Sequence, residues 1–275
     1  MRNLIDTHSH IYLEEFSSDL PLVVTRAIEN GVAKVFLPNI NLKSLKRVTE
    51  LCDDYIDFCY PMIGLHPTEI SCNFSKHLDT MKQILNDDYS ANGEKKFIGI
   101  GEVGIDLYRD KSNIKYQIEA FHTQIGWALE YDLPLVVHSR SAFRELCSVL
   151  DNYKNSNIKG IFHCFSGELD QIEKFLEYRN FLFGIGGVLT YKNSTLPAVL
   201  SEIPLERVVL ETDSPYLAPV PYRGKRNEPS YIVHVARRVA DIYNKDVDYV
   251  ARITTANALT LFINSRSKDN SRSKD

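Results

Sequence analysis

Eight short runs of apolar residues recur along the chain, and stretches with apolar residues at helical spacing lie between them. The runs cover residues 3–8, 32–38, 58–64, 97–102, 134–138, 158–163, 181–186 and 207–213, and helical spacing is clear at 42–55, 115–131 and 169–179. Continuous apolar strands that alternate with helices are typical of a parallel sheet covered on both faces. Eight such units predict an α/β fold of the closed (β/α)8 TIM-barrel type. An open doubly wound sheet is the alternative, but no GxGxxG follows the first run.

No linker rich in proline, glycine or serine interrupts this pattern, so a single domain is expected over residues 1–264. The end of the chain differs, because residues 265–275 contain the unit SRSKD twice and no apolar residue. Such a segment cannot bury enough apolar surface to order itself, and we expect a disordered tail without a catalytic part.

Composition narrows the classes of function. The formal net charge of −4 argues against a general polyanion-binding surface, so any nucleic acid must be held locally or through metal ions. Five cysteines form no CxxC pair and leave an odd count, which suits a reducing compartment better than a disulfide framework. No apolar run approaches the length of a membrane span and no signal-peptide pattern is seen, so a cytoplasmic protein is expected.

The first apolar run ends in an alternating polar pattern, NLIDTHSHIY, at residues 3–12. Asp6, His8 and His10 stand two positions apart, and side chains at that spacing point to one face of an extended chain. A lone histidine there would be interpreted as a hydrogen-bonded residue near a strand end. Two histidines with an aspartate favour a metal site, because neutral imidazole is the commonest metal ligand in proteins. Asp6 is expected to orient a ligand rather than to be one.

Further polar residues end other predicted strands, on the side where the active site of a TIM barrel lies. They are Glu102 on the fourth run, His138 on the fifth, His163 on the sixth and Asp213 on the eighth. Each alone has a structural explanation as a cap, a turn residue or a core histidine, but their coincidence favours a site. Four imidazoles and two carboxylates exceed the needs of one tetrahedral zinc and suit two divalent ions. Cys164 lies beside His163 and could donate sulfur, but we expect it to pack outward, because neighbouring strand residues face opposite sides.

Six motifs in order carry a family resemblance: LIDTHSH, GIGEVGIDLY, PLVVHSR, FHCFSG, VLETDSPYLAP and PYRGKRNEP. Together, from residue 3 to about residue 262, they resemble the TatD family of metal-dependent deoxyribonucleases, within the amidohydrolase superfamily. The resemblance implies a distorted TIM barrel with a two-metal centre. It implies that one ion is held by His8, His10 and Asp213, the other by His138 and His163, and that Glu102 bridges the two.

Two positions depart from the usual family pattern. Tyr12 stands where an Asp or Asn commonly follows the histidine pair, and Arg144 stands where an acid often follows HSR. Both bear on the hydrogen bonds around the ligands and on substrate preference. Glu102 also separates this chain from superfamily relatives that bridge their metals with a carbamylated lysine, because no lysine precedes it in FIGIGE.

Six residues are candidates for substrate binding, namely His66, Arg140, Tyr222, Arg223, Lys225 and Arg226. His66 in IGLHP is either a phosphate or water contact or a turn histidine held by Pro67. Arg140 lies two residues beyond His138 and either clamps a phosphate or forms a salt bridge.

The last four candidates lie in PYRGKRNEP, where basic side chains can reach phosphates and Tyr222 can stack on an unpaired base. The alternative for Arg226 is an ion pair with Glu228 or a barrel carboxylate. GIGGVLTYKN, after the seventh run, either presents backbone N–H groups to an anion or is a simple glycine turn.

We therefore expect a metal-dependent phosphodiesterase that hydrolyses DNA as an exonuclease, with two divalent ions that activate a water. Asp213 and Glu102 are the expected catalytic residues, and Asp213 accepts the proton of the water. Zinc, magnesium, manganese, nickel and iron all suit these ligands. DNA would bind locally at the barrel mouth, with no membrane and no obligate protein partner. The alternatives are hydrolysis of a small amide, lactone or phosphoester, or a non-catalytic scaffold stabilised by metal.

Overall fold

The computed structural model describes residues 3–90, 96–108 and 110–263. The tail expected at 265–275 lies outside the described residues, and the single-domain prediction stays a prediction. The strands of the described residues are β1 (Leu4–Asp6), β2 (Val32–Leu37), β3 (Cys59–Pro61), β4 (Ile100–Asp106), β5 (Leu135–Arg140), β6 (Gly160–Phe162), β7 (Phe181–Ile185) and β8 (Val208–Leu210).

A helix follows each of these strands along the chain, as the alternating pattern predicts. The α-helices are α1 (Leu20–Glu29), α2 (Leu42–Asp54), α3 (Phe74–Ser90), α4 (Ile114–Glu130), α5 (Phe143–Asp151), α6 (Ile172–Leu176), α7 (Leu196–Leu200), α8 (Ile232–Tyr243) and α9 (Val247–Phe262).

Local polar residues set several helix ends. A capping box begins α2, in which the Asn41 side chain accepts from the backbone N–H of Ser44 and the Ser44 hydroxyl accepts from the N–H of Asn41. Asn244 ends α8 in the left-handed region, with φ 49°. Asp246 then begins α9, since its carboxylate accepts from the N–H of Asp248.

The chain forms two compact units. The terminal unit comprises the described residues up to Phe36 and from Cys164 onward, and the central unit comprises Leu37–His163. In the central unit β3, β4, β5 and β6 lie side by side and parallel. Ile63, just beyond β3, forms a parallel bridge with Ile100 of β4, and β5 pairs with both β4 and β6.

The terminal unit contains a second parallel set, in the order β2, β1, β8 and β7. β1 pairs with β2, and β7 pairs with β8. Just beyond β1, the N–H of Thr7 donates to the carbonyl of Leu210 in β8 at 3.0 Å. Helix α9 covers this set, and its Phe262 meets Phe36 of β2 edge to face with 5.0 Å between ring centroids. Both rings are fully buried.

All eight strands of the described residues end at a residue other than the predicted one, and three of these differences bear on the candidate site. β4 and β5 continue past Glu102 and His138, so these two residues lie within strands and not at their ends. The ladder continues because Gly104, with φ 136°, lets β4 approach β5 so closely that a Cβ there would overlap the carbonyl oxygen of His138. β8 ends at Leu210, three residues before Asp213.

Among the helices of the described residues, none is both long and apolar enough to cross a membrane.

Candidate metal centre

The end of β1 and the segment after β8 bring three predicted ligands together in the terminal unit. The Nε2 atoms of His8 and His10 lie 3.1 Å apart, and Oδ1 of Asp213 lies 3.8 Å from the first and 3.4 Å from the second. Both imidazoles are buried, while 15% of the Asp213 side chain is exposed. One face of this set is therefore open to a substrate.

Backbone contacts between β1 and β8 position this first set. The N–H of Asp213 donates to the carbonyl of His8 at 2.9 Å, and Asp213 itself has φ 55°. Asp6 is fully buried, and its two oxygens accept from the N–H and the hydroxyl of Thr212 at 2.9 and 2.6 Å. Burial raises the pKa of Asp6 to about 8, although the hydrogen bonds from Thr212 act to lower it. Asp6 thus holds the two chain segments that carry the ligands.

The second ring nitrogen of His10 faces a tyrosine. Nδ1 of His10 lies 2.7 Å from the hydroxyl of Tyr12, which is itself buried. For Nε2 of His10 to bind a metal ion, the ring proton must sit on Nδ1, where it donates to the Tyr12 oxygen. Tyr12, which stands where the resemblance implies an Asp or Asn, is therefore the hydrogen-bond partner of this predicted ligand.

Sequence reasoning missed one residue of the terminal unit and misplaced another. Glu211 is fully buried, has a carboxylate oxygen within 4.8 Å of a ring nitrogen of His8, and accepts from the N–H of Cys164. Its position two residues before Asp213 was the available signal. The outward packing expected for Cys164 is wrong, because its sulfur lies within 4.8 Å of a carboxylate oxygen of Asp213. Strand alternation does not extend to it, since β6 ends at Phe162 and Cys164 has φ 45°.

A second set surrounds one oxygen of Glu102 in the central unit. Oε1 of Glu102 lies 2.8 Å from Nδ1 of His138 and 3.6 Å from Nε2 of His163. Nε2 of His66 lies 3.3 Å from the same oxygen. All three imidazoles thus converge on one carboxylate, which is buried.

Asp106 is a further member of this set that sequence reasoning missed. Its Oδ2 lies 2.9 Å from Nε2 of His138, so both ring nitrogens of His138 face carboxylates. Burial acts to lower the pKa of His138, but Asp106 and Glu102 outweigh it and raise that pKa to about 9. The signal in the sequence was the even spacing of Asp106 from Glu102, which only a strand longer than predicted would reveal.

His66 belongs to the second set by distance. Ligand atoms of His66, Glu102 and His138 all lie within 4.8 Å of one another, so His66 is a candidate ligand that sequence reasoning assigned to substrate binding. Nδ1 of His66 lies 2.7 Å from the hydroxyl of Thr68, and a ring proton donated there would leave Nε2, which faces Glu102, able to bind a metal ion.

The donor sets fit divalent metal ions. Ligand atoms around a tetrahedral ion lie about 3.4 Å apart, given bonds of about 2.1 Å. The distances between His8, His10 and Asp213 run from 3.1 to 3.8 Å, and those from Glu102 to His138 and His163 from 2.8 to 3.6 Å. Imidazole and carboxylate without thiolate suit the borderline and hard ions named above.

The candidate substrate residues Arg140 and Arg223 each cover an aromatic ring. The guanidinium of Arg140 lies 3.7 Å from the ring centroid of Tyr108, and that of Arg223 lies 4.5 Å from the ring centroid of Tyr191. A stacked guanidinium keeps its N–H edge available to a phosphate. These two contacts are compatible with phosphate binding.

Arg226 forms the kind of ion pair that was the alternative to phosphate binding. Its guanidinium donates to both oxygens of Asp19 at 2.8 and 2.7 Å, so the partner is Asp19 and not Glu228. Tyr222 stacks on Tyr231, with ring centroids 3.9 Å apart and planes 5° from parallel. Lys225 is exposed, and its ammonium forms no salt bridge within the part of the chain that the structure describes. Tyr222, Lys225 and Arg226, all predicted to contact substrate, line one surface pocket of about 490 Å³.

Comparison with known proteins places this geometry in a family. The family model of TatD-related DNases matches residues 5–263. An uncharacterized metal-dependent hydrolase of Bacillus subtilis, YabD, is 35% identical over 260 residues, which covers 94% of this chain and 98% of that protein. A protein of Pantoea ananatis named 3'-5' ssDNA/RNA exonuclease TatD is 29% identical, over 94% of this chain and 99% of its own length.

A solved structure agrees with these matches. The TatD homologue YjjV of Escherichia coli superposes with a TM-score of 0.83 at 30% identity, over 94% of this chain and 97% of that chain. The likeness confirms the predicted fold class, an α/β TIM barrel of the metal-dependent hydrolase type. With a family model matched over nearly its whole length and a 35% identical relative, the chain belongs to the family of TatD-related DNases.

Proposed function

We propose that this TatD-family hydrolase cleaves the phosphodiester bonds of DNA from a chain end with two divalent metal ions. One observation carries the proposal: two sets of imidazole nitrogens, His8 with His10 and His138 with His163, each surround a carboxylate oxygen at the spacing of metal ligands. The name of the Pantoea relative supports a nucleic-acid substrate. The bridging role of Glu102 is part of the proposal.

Bound divalent ions would lower the pKa of a water and offset the charge that builds on the phosphoryl oxygens. Asp213, the most exposed side chain of its set, would accept the proton of the attacking water. His66, whose Nε2 lies 3.3 Å from Oε1 of Glu102, would contact a phosphate or the bound water. Arg140 and Arg223 would orient phosphates beside the scissile one.

A cytoplasmic location belongs to the same proposal. It is supported by the five thiols, of which Cys52, Cys59 and Cys147 are buried and none forms a disulfide.

The decisive experiment compares substrates with and without chelator. Purified protein is stripped of metal, reloaded separately with magnesium, manganese, zinc, nickel and iron(II), and given end-labelled DNA, end-labelled RNA and a panel of small amides, lactones and phosphoesters. We expect progressive shortening of DNA from one end, lost with chelator and restored by at least one ion. Turnover of the small compounds without cleavage of DNA under any metal would contradict the proposal.

The role of Asp213 has its own test. Asp213→Asn should lower turnover at saturating metal by roughly 10²- to 10⁴-fold, the usual loss when a general base is removed, with a much smaller change in the KM for DNA. Asp241→Asn, an acid of α8 outside the site, is the matched control. Turnover close to wild type in Asp213→Asn would exclude it as the proton acceptor.

A further inference from the structure

The segment after β8 presents apolar side chains to solvent beside the first ligand set. Tyr216 is 49% exposed, and its ring centroid lies 6.2 Å from that of His10. Leu217 and Val220 on the same segment are 39% and 47% exposed. Large apolar side chains that are exposed together beside a polar site are typical of a ligand-binding surface.

Buried hydrogen bonds hold the backbone of this segment. Asn227, itself fully buried, donates from its side-chain nitrogen to the carbonyls of Thr212 and Tyr216, both at 2.7 Å. The N–H of Tyr216 donates to the carbonyl of Asp213 at 2.8 Å. The residue that carries the exposed ring is thus tied directly to the ligand Asp213.

Close packing holds the other side of the segment. The carbonyl of Leu217 approaches Gly187 so closely that a Cβ at that glycine would overlap it. The hydroxyl of Tyr191 donates to the carbonyl of Ala218 at 3.1 Å. Leu217 has φ 53°, which is unfavourable for a leucine and persists only where the surroundings enforce it. The exposure of Tyr216 and Leu217 is therefore built in and does not reflect a loose loop.

We propose that Tyr216 is a stacking platform for the nucleobase next to the scissile phosphodiester, with Leu217 as its apolar neighbour. This inference rests on the proposed function and names a residue that would discriminate between chain ends. A base within a duplex already stacks on both neighbours and pairs with its partner, so only an unpaired or frayed end can offer a face to Tyr216. Stacking also needs no positive charge, which suits a protein with a net charge of −4.

The test uses oligonucleotides that differ only at the digested end. Metal-loaded full-length protein receives single strands with an ordinary nucleotide or an abasic tetrahydrofuran nucleotide at that end, in versions for the 3′ and the 5′ end. The quantity measured is the ratio of kcat/KM for the two. We expect wild type to prefer the base-bearing end by roughly 5- to 150-fold, the range for stacking of one base, and Tyr216→Ala to abolish the preference. Tyr216→Phe should keep it.

Tyr249→Ala is the matched control, because Tyr249 on α9 is also exposed, at 38%, and should not affect the ratio. Metal content of each variant is measured in parallel, so that a disturbed ligand set is recognised. If Tyr216→Ala lowers kcat/KM equally for both ends, the platform is excluded while the proposed function stands. If wild type cleaves no oligonucleotide with any metal, the proposed function and this inference both fail.

Discussion

Glu102 is the residue on which the most predicted ligands converge. Three imidazoles lie within 3.6 Å of its Oε1 atom, so loss of its charge removes the common partner of the second set. Glu102→Gln keeps the size of the side chain, and we expect it to lower the affinity for divalent metal more than tenfold, since even residues that only support a ligand contribute 10- to 100-fold. Metal bound per chain, measured by elemental analysis after dialysis, is the readout. Glu119→Gln on the exposed face of α4 is the control.

Wild-type metal content in Glu102→Gln would remove this residue from the ligand set. Urea unfolding of both variants, followed without metal, separates loss of affinity from loss of fold.

Tyr12 offers a second test on a single residue. Tyr12→Phe removes the hydroxyl that lies 2.7 Å from Nδ1 of His10 and would accept from it when Nε2 binds a metal ion. We expect affinity for metal at the first set to fall by about 10- to 100-fold. Competition with a chromophoric chelator measures this. The chain provides a matched pair elsewhere, because the hydroxyl of Tyr153 lies 2.8 Å from Nδ1 of His122, and Tyr153→Phe should leave metal affinity unchanged. Equal affinities of the Tyr12 variant and wild type would show that the ring of His10 needs no such partner.

The first ligand set was predictable from sequence because its signal is local. His8 and His10 stand two positions apart just beyond β1, where Ser9 between them still forms a parallel bridge with Ser214, and the structure has both beside Asp213. Asp106 and Glu211 were not predictable in this way. Each becomes part of a site through a contact with a residue distant in sequence, His138 for Asp106 and Cys164 for Glu211. The even spacing of Asp106 from Glu102 and of Glu211 from Asp213 is a signal for a shared face, but it does not indicate these long-range contacts.

At the scale of secondary-structure elements, Arg207, which directly precedes β8, connects the end of α6 and the start of β7 through hydrogen bonds. Its guanidinium donates to the carbonyls of Leu176, Tyr178 and Phe181, which lie at the end of α6 and the start of β7. We expect Arg207→Ala to lower the free energy of unfolding by about 2 kcal/mol, since hydrogen bonds from a charged group contribute about 1.5–3 kcal/mol and buried carbonyls lose their donors. The urea midpoint measures this, and Arg237→Ala on the exposed face of α8 should change it by less than about 0.5 kcal/mol. Similar midpoints for the two variants would show that Arg207 does not stabilise this junction.

The order and type of the elements followed from sequence, while several of their ends did not. Apolar runs separated by stretches of helical spacing predict alternating strands and helices, and this prediction needs no knowledge of tertiary structure. Where β4 ends depends on its pairing with β5, which Gly104 permits by its positive φ and its lack of a side chain. Since the predicted strand stopped at residue 102, Asp106 was left outside it.

For the molecule as a whole, the proposed function raises the question of how a protein with a net charge of −4 would hold DNA. Lys225 is exposed, whereas Arg226 is engaged with Asp19, so the two cations should act differently. We expect Lys225→Ala to weaken binding of single-stranded DNA and to flatten the slope of log affinity against log salt by roughly 0.7, the value for one lost phosphate contact. Arg226→Ala should instead lower the free energy of unfolding by up to about 1 kcal/mol, as loss of a partly exposed ion pair does.

Lys43→Ala on α2 makes the same change in net charge away from this loop, and it separates a local contact from the overall field. A slope that flattens equally in the Lys43 and Lys225 variants would show that the loop makes no phosphate contact of its own. A flattened slope in Arg226→Ala with unchanged stability would restore Arg226 to the substrate contacts.

The anchoring of the segment that carries Tyr216 has a consequence for how this enzyme can evolve. Its backbone is fixed by Asn227 and Gly187, while the side chains of Tyr216 and Leu217 project into solvent and fill no core. Changes of these two side chains therefore remove no core residue, while the positive φ of Leu217 restricts what can replace it. On the proposed function, such changes would alter which chain ends are accepted and would leave the residues proposed for hydrolysis in place.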